Sequence, residues 1–173
     1  DGSALCPGDG TERSPFKTIS EAAAKALPGD EVLVAPGIYR EAVDPRNSGT
    51  ATKRITYRSA QKGQAHITGS EPVKSWSHVE GNIWKATIPN GVFSDYNPFT
   101  TLVSGDWFIA SMIAHTGDVF LDEKSMYEVT DLEQVKNPLK SQTSWDPEFS
   151  LYTWYTEQDE EKDQTILYAN FQE

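Results

Sequence analysis

A single cysteine, Cys6, stands among the 173 residues. That excludes an intrachain disulfide and leans towards a reducing, cytoplasmic compartment over a secreted one. Histidine is scarce as well. His66, His78 and His115 are scattered, without metal-ligand spacing or a cysteine nearby, so they read as structural or surface residues and no metal or other cofactor is expected. Basic side chains are few: 15 Lys and Arg stand against 26 Asp and Glu, a net charge of −11. Nucleic acid and anionic lipid both require a basic face, so neither is expected as a partner, and the same charge disfavours polyanionic substrates such as pectate or alginate. No run approaches the ~20 apolar residues of a membrane helix. A Gly-rich phosphate loop, a Gly-x-Ser-x-Gly elbow and a basic aromatic patch are all missing. No secretory signal opens the chain at Asp1, which reads as a trimmed start inside a longer protein.

Aromatic residues are abundant: five Trp, seven Tyr and seven Phe. The first patterned stretch runs from Ser14 to Leu27. Thr18 and Glu21 have capping-box spacing, in which the hydroxyl accepts from the N3 amide and the carboxylate reaches back to the cap. Ile19, Ala22, Ala23, Ala26 and Leu27 then form an apolar helical stripe that Pro28-Gly29 ends. Short strands are expected over 30–35, 38–43, 54–59 and 65–69, separated by turns. Short strands at intervals of 10 to 15 residues, led by one helix, suggest solenoid coils with a cap over their open end.

From about Ser70 the texture changes. Strands over 73–76 and 82–88 bracket a Glu80-Gly81 turn, and 89–99 reads as a loop. Leu102-Val103 and Trp107-Phe108-Ile109-Ala110 are expected as strands around Ser104-Gly105-Asp106. A further pair flanks Asp122-Glu123-Lys124, and a helical turn is expected over 131–136. The last hairpin pairs 151–155 with 165–169 across an acidic turn at 157–163. Repeated antiparallel hairpins with aromatic alternation describe a β-sandwich. The chain is therefore expected to be mostly β, with the start of a right-handed parallel β-helix and its N-terminal capping helix at 1–69, and an antiparallel β-sandwich at 70–173. A solenoid needs about three repeats and two caps, so more coils are expected downstream, in the remaining β-helix of the same protein.

The stretch from Gly10-Thr11-Glu12-Arg13 through Ala26-Leu27-Pro28-Gly29-Asp30 to Pro36-Gly37-Ile38-Tyr39-Arg40-Glu41 resembles the opening of pectate-lyase-like right-handed β-helix proteins. That fold hosts lyases, epimerases, hydrolases and adhesins, so it does not decide function. Further motifs narrow the choice: Arg54-Ile55-Thr56-Tyr57, Ile67-Thr68-Gly69-Ser70-Glu71, Val79-Glu80-Gly81-Asn82-Ile83-Trp84, Tyr96-Asn97-Pro98-Phe99, Gly105-Asp106-Trp107, Gly117-Asp118-Val119-Phe120-Leu121 and Thr165 to Gln172. In this order they resemble the N-terminal part of glycoside hydrolase family 120, the β-xylosidases. The resemblance implies a β-sandwich inserted after the first β-helix coils. It also implies a retaining mechanism, xylo-oligosaccharide or another small β-glycoside as substrate, and catalytic carboxylates in later coils, so that no catalytic residue lies in this chain. A polysaccharide lyase or epimerase on the same fold, or a non-catalytic carbohydrate-binding segment, are the alternatives. Homo-oligomerisation stays open.

Trp107 is the leading site residue, because axial C–H groups of a sugar pack on an indole face. The resemblance puts its segment in a sandwich loop reaching towards the cleft, although a sandwich tryptophan is ordinarily core. Asp106 and Asn97 are candidate partners of sugar hydroxyls, against the plainer roles of turn residues beside Gly105 and Pro98. Asp95 with Asp106 or Asp118 could be paired as carboxylates, but nothing in their spacing requires it. The acidic run 157–163 lacks the turn pattern of calcium loops and reads as a solvated tip.

Overall fold

The structure, a computed structural model, describes residues 8–107 and 113–172. The chain forms two compact units, Asp1–Pro72 and Val73–Glu173. Strands dominate both. No helix of the described residues is long and apolar enough to cross a membrane.

In the first unit the helix α1 spans Ile19–Lys25. Both halves of the capping box form: the Glu21 amide donates to Thr18 Oγ1 at 3.1 Å, and the Thr18 amide donates to the Glu21 carboxylate at 3.4 Å. The stripe read from the sequence buries Ile19, Ala23 and Ala26. Four strands follow, β1 (Glu31–Val34), β2 (Gly37–Arg40), β3 (Thr56–Ser59) and β4 (Ala65–Thr68). β3 lies parallel to β1, and β4 lies parallel to β2. The chain thus visits two parallel ladders in the same order twice.

β2 ends at Arg40, short of the strand expected to Val43, because Glu41 turns to α1. Its carboxylate accepts the amides of Ile19 and Ser20, each at 2.8 Å, and the Ser20 hydroxyl. Those amides are among the four that a helix start leaves without an intrahelical partner. Burial alone would raise the Glu41 carboxyl, but the Ser20 hydroxyl and the two amides outweigh it and hold its pKa below the ordinary value.

The second unit is built on one five-stranded sheet. β5 (Ser77–Glu80) and β6 (Ile83–Pro89) form an antiparallel hairpin, turning at Gly81 with φ 50. The paired strand is 77–80, not the 73–76 expected. β7 (Phe120–Leu121) and β8 (Lys124–Ser125) form a small separate hairpin, followed by β9 (Tyr127–Glu128), α2 (Leu132–Lys136), β10 (Thr153–Asp159) and β11 (Gln164–Asn170). The sheet order is β5-β6-β11-β10-β9, antiparallel except that β9 runs parallel to β10. A parallel neighbour requires a crossover, and the chain from Val129 to Tyr152, with α2 in it, supplies one. The final hairpin is longer than its sequence suggests. Glu157, Gln158 and Asp159 pair with Ile166, Thr165 and Gln164, so only the residues between Asp159 and Gln164 turn.

Trp84, Ala86, Trp154, Leu167 and Ala169 share a face, by the register of β6, β10 and β11. The core assembles on that face: Phe99, Val119, Met126, Trp154, Leu167 and Ala169 cluster there, with the Phe99 ring edge-on to Trp154 at 5.8 Å. Two small antiparallel pieces lie outside that sheet among the described residues. One is the β7–β8 hairpin, whose Leu121 packs against the core cluster. The other is a pairing centred on Leu102 and His115, where Val103 donates to Ala114 O and Thr116 to Thr101 O, both at 2.8 Å. The strand expected over 107–110 lies, apart from Trp107, outside the described residues.

Candidate functional site

The candidate site is the segment that leaves the Leu102–His115 pairing. Gly105, Asp106 and Trp107 follow it directly, and Asp106 and Trp107 are both exposed, the indole residue at 70 %. Trp107 is therefore not the core tryptophan of this unit. Trp154 is, at 1 % exposure. The indole of Trp107 lies against the backbone of Gly105. A Cβ placed on Gly105, whose φ is +153, would fall 2.4 Å from Nε1 and 2.9 Å from Cδ1, so glycine is needed both for the conformation and for the close approach. Tyr96, Leu102 and Ile113 add apolar surface on adjoining segments, each about half exposed.

Asn97 sits differently. Its Nδ2 donates to Thr165 Oγ1 at 2.8 Å and to Asn90 Oδ1 at 3.2 Å, and its Oδ1 accepts the Phe99 amide at 2.9 Å. Its main-chain oxygen accepts the hydroxyl of Thr101 at 3.0 Å. The carboxamide is thus engaged inside the protein, pinning the turn that leads into the 101–103 strand onto the fully buried Thr165 of β11. Asp118 is similarly occupied: Oδ1 accepts the Val119 amide at 2.8 Å and Oδ2 the Ser125 hydroxyl at 2.6 Å.

One pair at this site carries no sequence signal. His115 donates its amide to Glu128 Oε2 at 2.9 Å, and its Nδ1 contacts Oε1 of the same carboxylate. Both side chains are largely shielded, at 18 % and 16 % exposure. The other histidines fit the plainer reading: His66 is exposed on β4, while the His78 ring lies edge-on to Trp84 and meets Gly81 O at 2.8 Å. Among the described residues no group of three or more His, Cys, Asp or Glu is arranged to hold a metal ion.

The family profile described as glycoside hydrolase 120, insertion domain, matches residues 73–173. A second profile, described as a protein of unknown function (DUF1565), matches residues 6–81. A solved structure of XylC in complex with xylose is similar to this chain with a TM-score of 0.89 and 40 % sequence identity, covering 95 % of this chain and 28 % of that one. The uncharacterized protein YwoF of Bacillus subtilis (strain 168) is 38 % identical over 61 residues, which is 35 % of this chain and 13 % of YwoF. The chain thus spans only a minor part of the length of either relative. These likenesses define a class first: a β-rich segment of the glycoside hydrolases, with an insertion domain as its second unit. The chain belongs to glycoside hydrolase family 120.

Proposed function

We propose that this chain is the N-terminal portion of a β-xylosidase that releases xylose from β-linked xylo-oligosaccharides, and that Trp107 is a stacking platform for the sugar. The observation that carries the reading is the exposed indole held against Gly105 in a chain 40 % identical to a protein solved with xylose. An indole that is 70 % exposed is the kind of aromatic surface on which the axial C–H groups of a pyranose pack. Asp106, exposed beside it, accepts from sugar hydroxyls. Asn97 contributes by holding the base of the segment through Thr165 and Thr101.

The division proposed is a cap and first coils of a right-handed parallel β-helix in 1–69 and an inserted sandwich in 70–173. The two repeated parallel ladders, the helix α1 preceding them and the break between Pro72 and Val73 support it. The mechanism is retaining double displacement, with one carboxylate attacking the anomeric carbon and a second carboxyl group protonating the departing oxygen. Both belong to coils beyond this chain. The test is to assay the full-length protein on an aryl β-xyloside and on a polyuronate, with and without chelator. Xyloside hydrolysis indifferent to chelator is the expected result. Cleavage of the polyuronate alone would replace this reading with a lyase, and action on neither substrate would leave a binding segment.

A further inference from the structure

We propose that His115, through Glu128, is a positioning residue that sets the orientation of the Asp106–Trp107 segment for sugar binding; the inference rests on the platform reading of Trp107. In the pairing of 101–103 with 114–116, the two bonds from Val103 to Ala114 and from Thr116 to Thr101 flank the Leu102–His115 pair. That makes it a non-hydrogen-bonded pair, whose own amides point away from each other. The outward amide of His115 is the one that Glu128 accepts. With Nδ1 on the second oxygen, the carboxylate holds backbone and side chain of the same residue together.

Glu128 is itself immobilised. It lies in β9 opposite Trp154, and the amides on either side of it, Tyr127 and Val129, donate to Tyr152 O and Trp154 O, both at 2.9 Å. A chain of fixed contacts therefore runs from the core tryptophan through Glu128 and His115 to the pairing from which Gly105, Asp106 and Trp107 depart. A two-stranded piece with so few bonds is marginal alone. A shielded, doubly bonded contact restrains it more than an exposed ion pair does.

The experiment uses the full-length protein and steady-state kinetics on an aryl β-xyloside. His115→Ala is expected to raise KM about fivefold with kcat within about twofold, the pattern of lost uniform binding. His115→Asn, whose amide nitrogen can stand near Nδ1, is expected to recover most of the loss. In a Trp107→Ala background, His115→Ala is expected to add little, since coupled residues are non-additive. An unchanged KM in His115→Ala, beside a raised KM in Trp107→Ala, overturns the positioning role and leaves the platform intact. An unchanged KM in Trp107→Ala overturns the platform itself. A loss of melting temperature with KM unchanged shows a merely structural pair and likewise overturns the inference. Should His115→Ala fail to fold, Glu128→Gln removes one of the two contacts more gently, and an unchanged KM there overturns it equally.

Discussion

Gly105 and Trp107 are matched by shape: the indole nitrogen occupies the space where any side chain at 105 would place its Cβ, 2.4 Å away. The exposed ring is thus held from below by a residue whose contribution is the absence of a side chain.

Gly105→Ala is accordingly expected to displace the indole and to strain a backbone with φ +153. The local cost is of the order of 1 kcal/mol, small against global stability. Steady-state kinetics of the full-length variant should show KM for an aryl β-xyloside raised several-fold, with the melting temperature moved by only a few degrees.

The Glu41 carboxylate closes the start of α1. Replacing it with Gln is expected to destabilise the protein by about 1–2 kcal/mol at neutral pH, as lost caps do. The pH dependence follows from its depressed pKa. A carboxyl that ionises more readily when folded contributes stability above its unfolded value, near 4.5, and that contribution fades as pH falls through the lower folded value. Urea denaturation of both proteins should show their difference shrinking below pH 4.5.

Asp122 and Glu123 join β7 to β8 with φ 49 and 66. Two consecutive positive φ values define a type I′ turn, for which Asn-Gly is the preferred sequence. Glu123→Gly is expected to stabilise the fold by about 0.5–1 kcal/mol, because the strain relieved in a left-handed conformation exceeds the added freedom of the unfolded chain. Thermal unfolding gives the comparison directly.

Local chemistry was the legible part of this fold. The Thr18/Glu21 capping box, the turn at Gly81 and the helical turn beyond Asp131 all depend on neighbours within four residues, and each formed as its residues indicate. The parallel placement of β9 was not legible, since two short residues pairing across a crossover carry no periodic pattern. Nor was the reach of β10 into Glu157–Asp159, because an unbroken run of polar residues, here only half-buried, looks like a turn. The candidate site divides in the same way. Gly105-Asp106-Trp107 stood out as a motif, whereas the engagement of Asn97 with Thr165 spans 68 residues and the His115–Glu128 contact spans 13. No spacing rule covers such pairs, since the tertiary fold creates them.

The most direct measurement for the platform reading is KM for an aryl β-xyloside in the full-length protein carrying Trp107→Ala and, separately, Trp107→Phe. Loss of the indole is expected to raise KM about tenfold, equivalent to ~1.4 kcal/mol, with the phenyl ring retaining part of the binding. Values within twofold of the parent for both variants would contradict a sugar platform at Trp107.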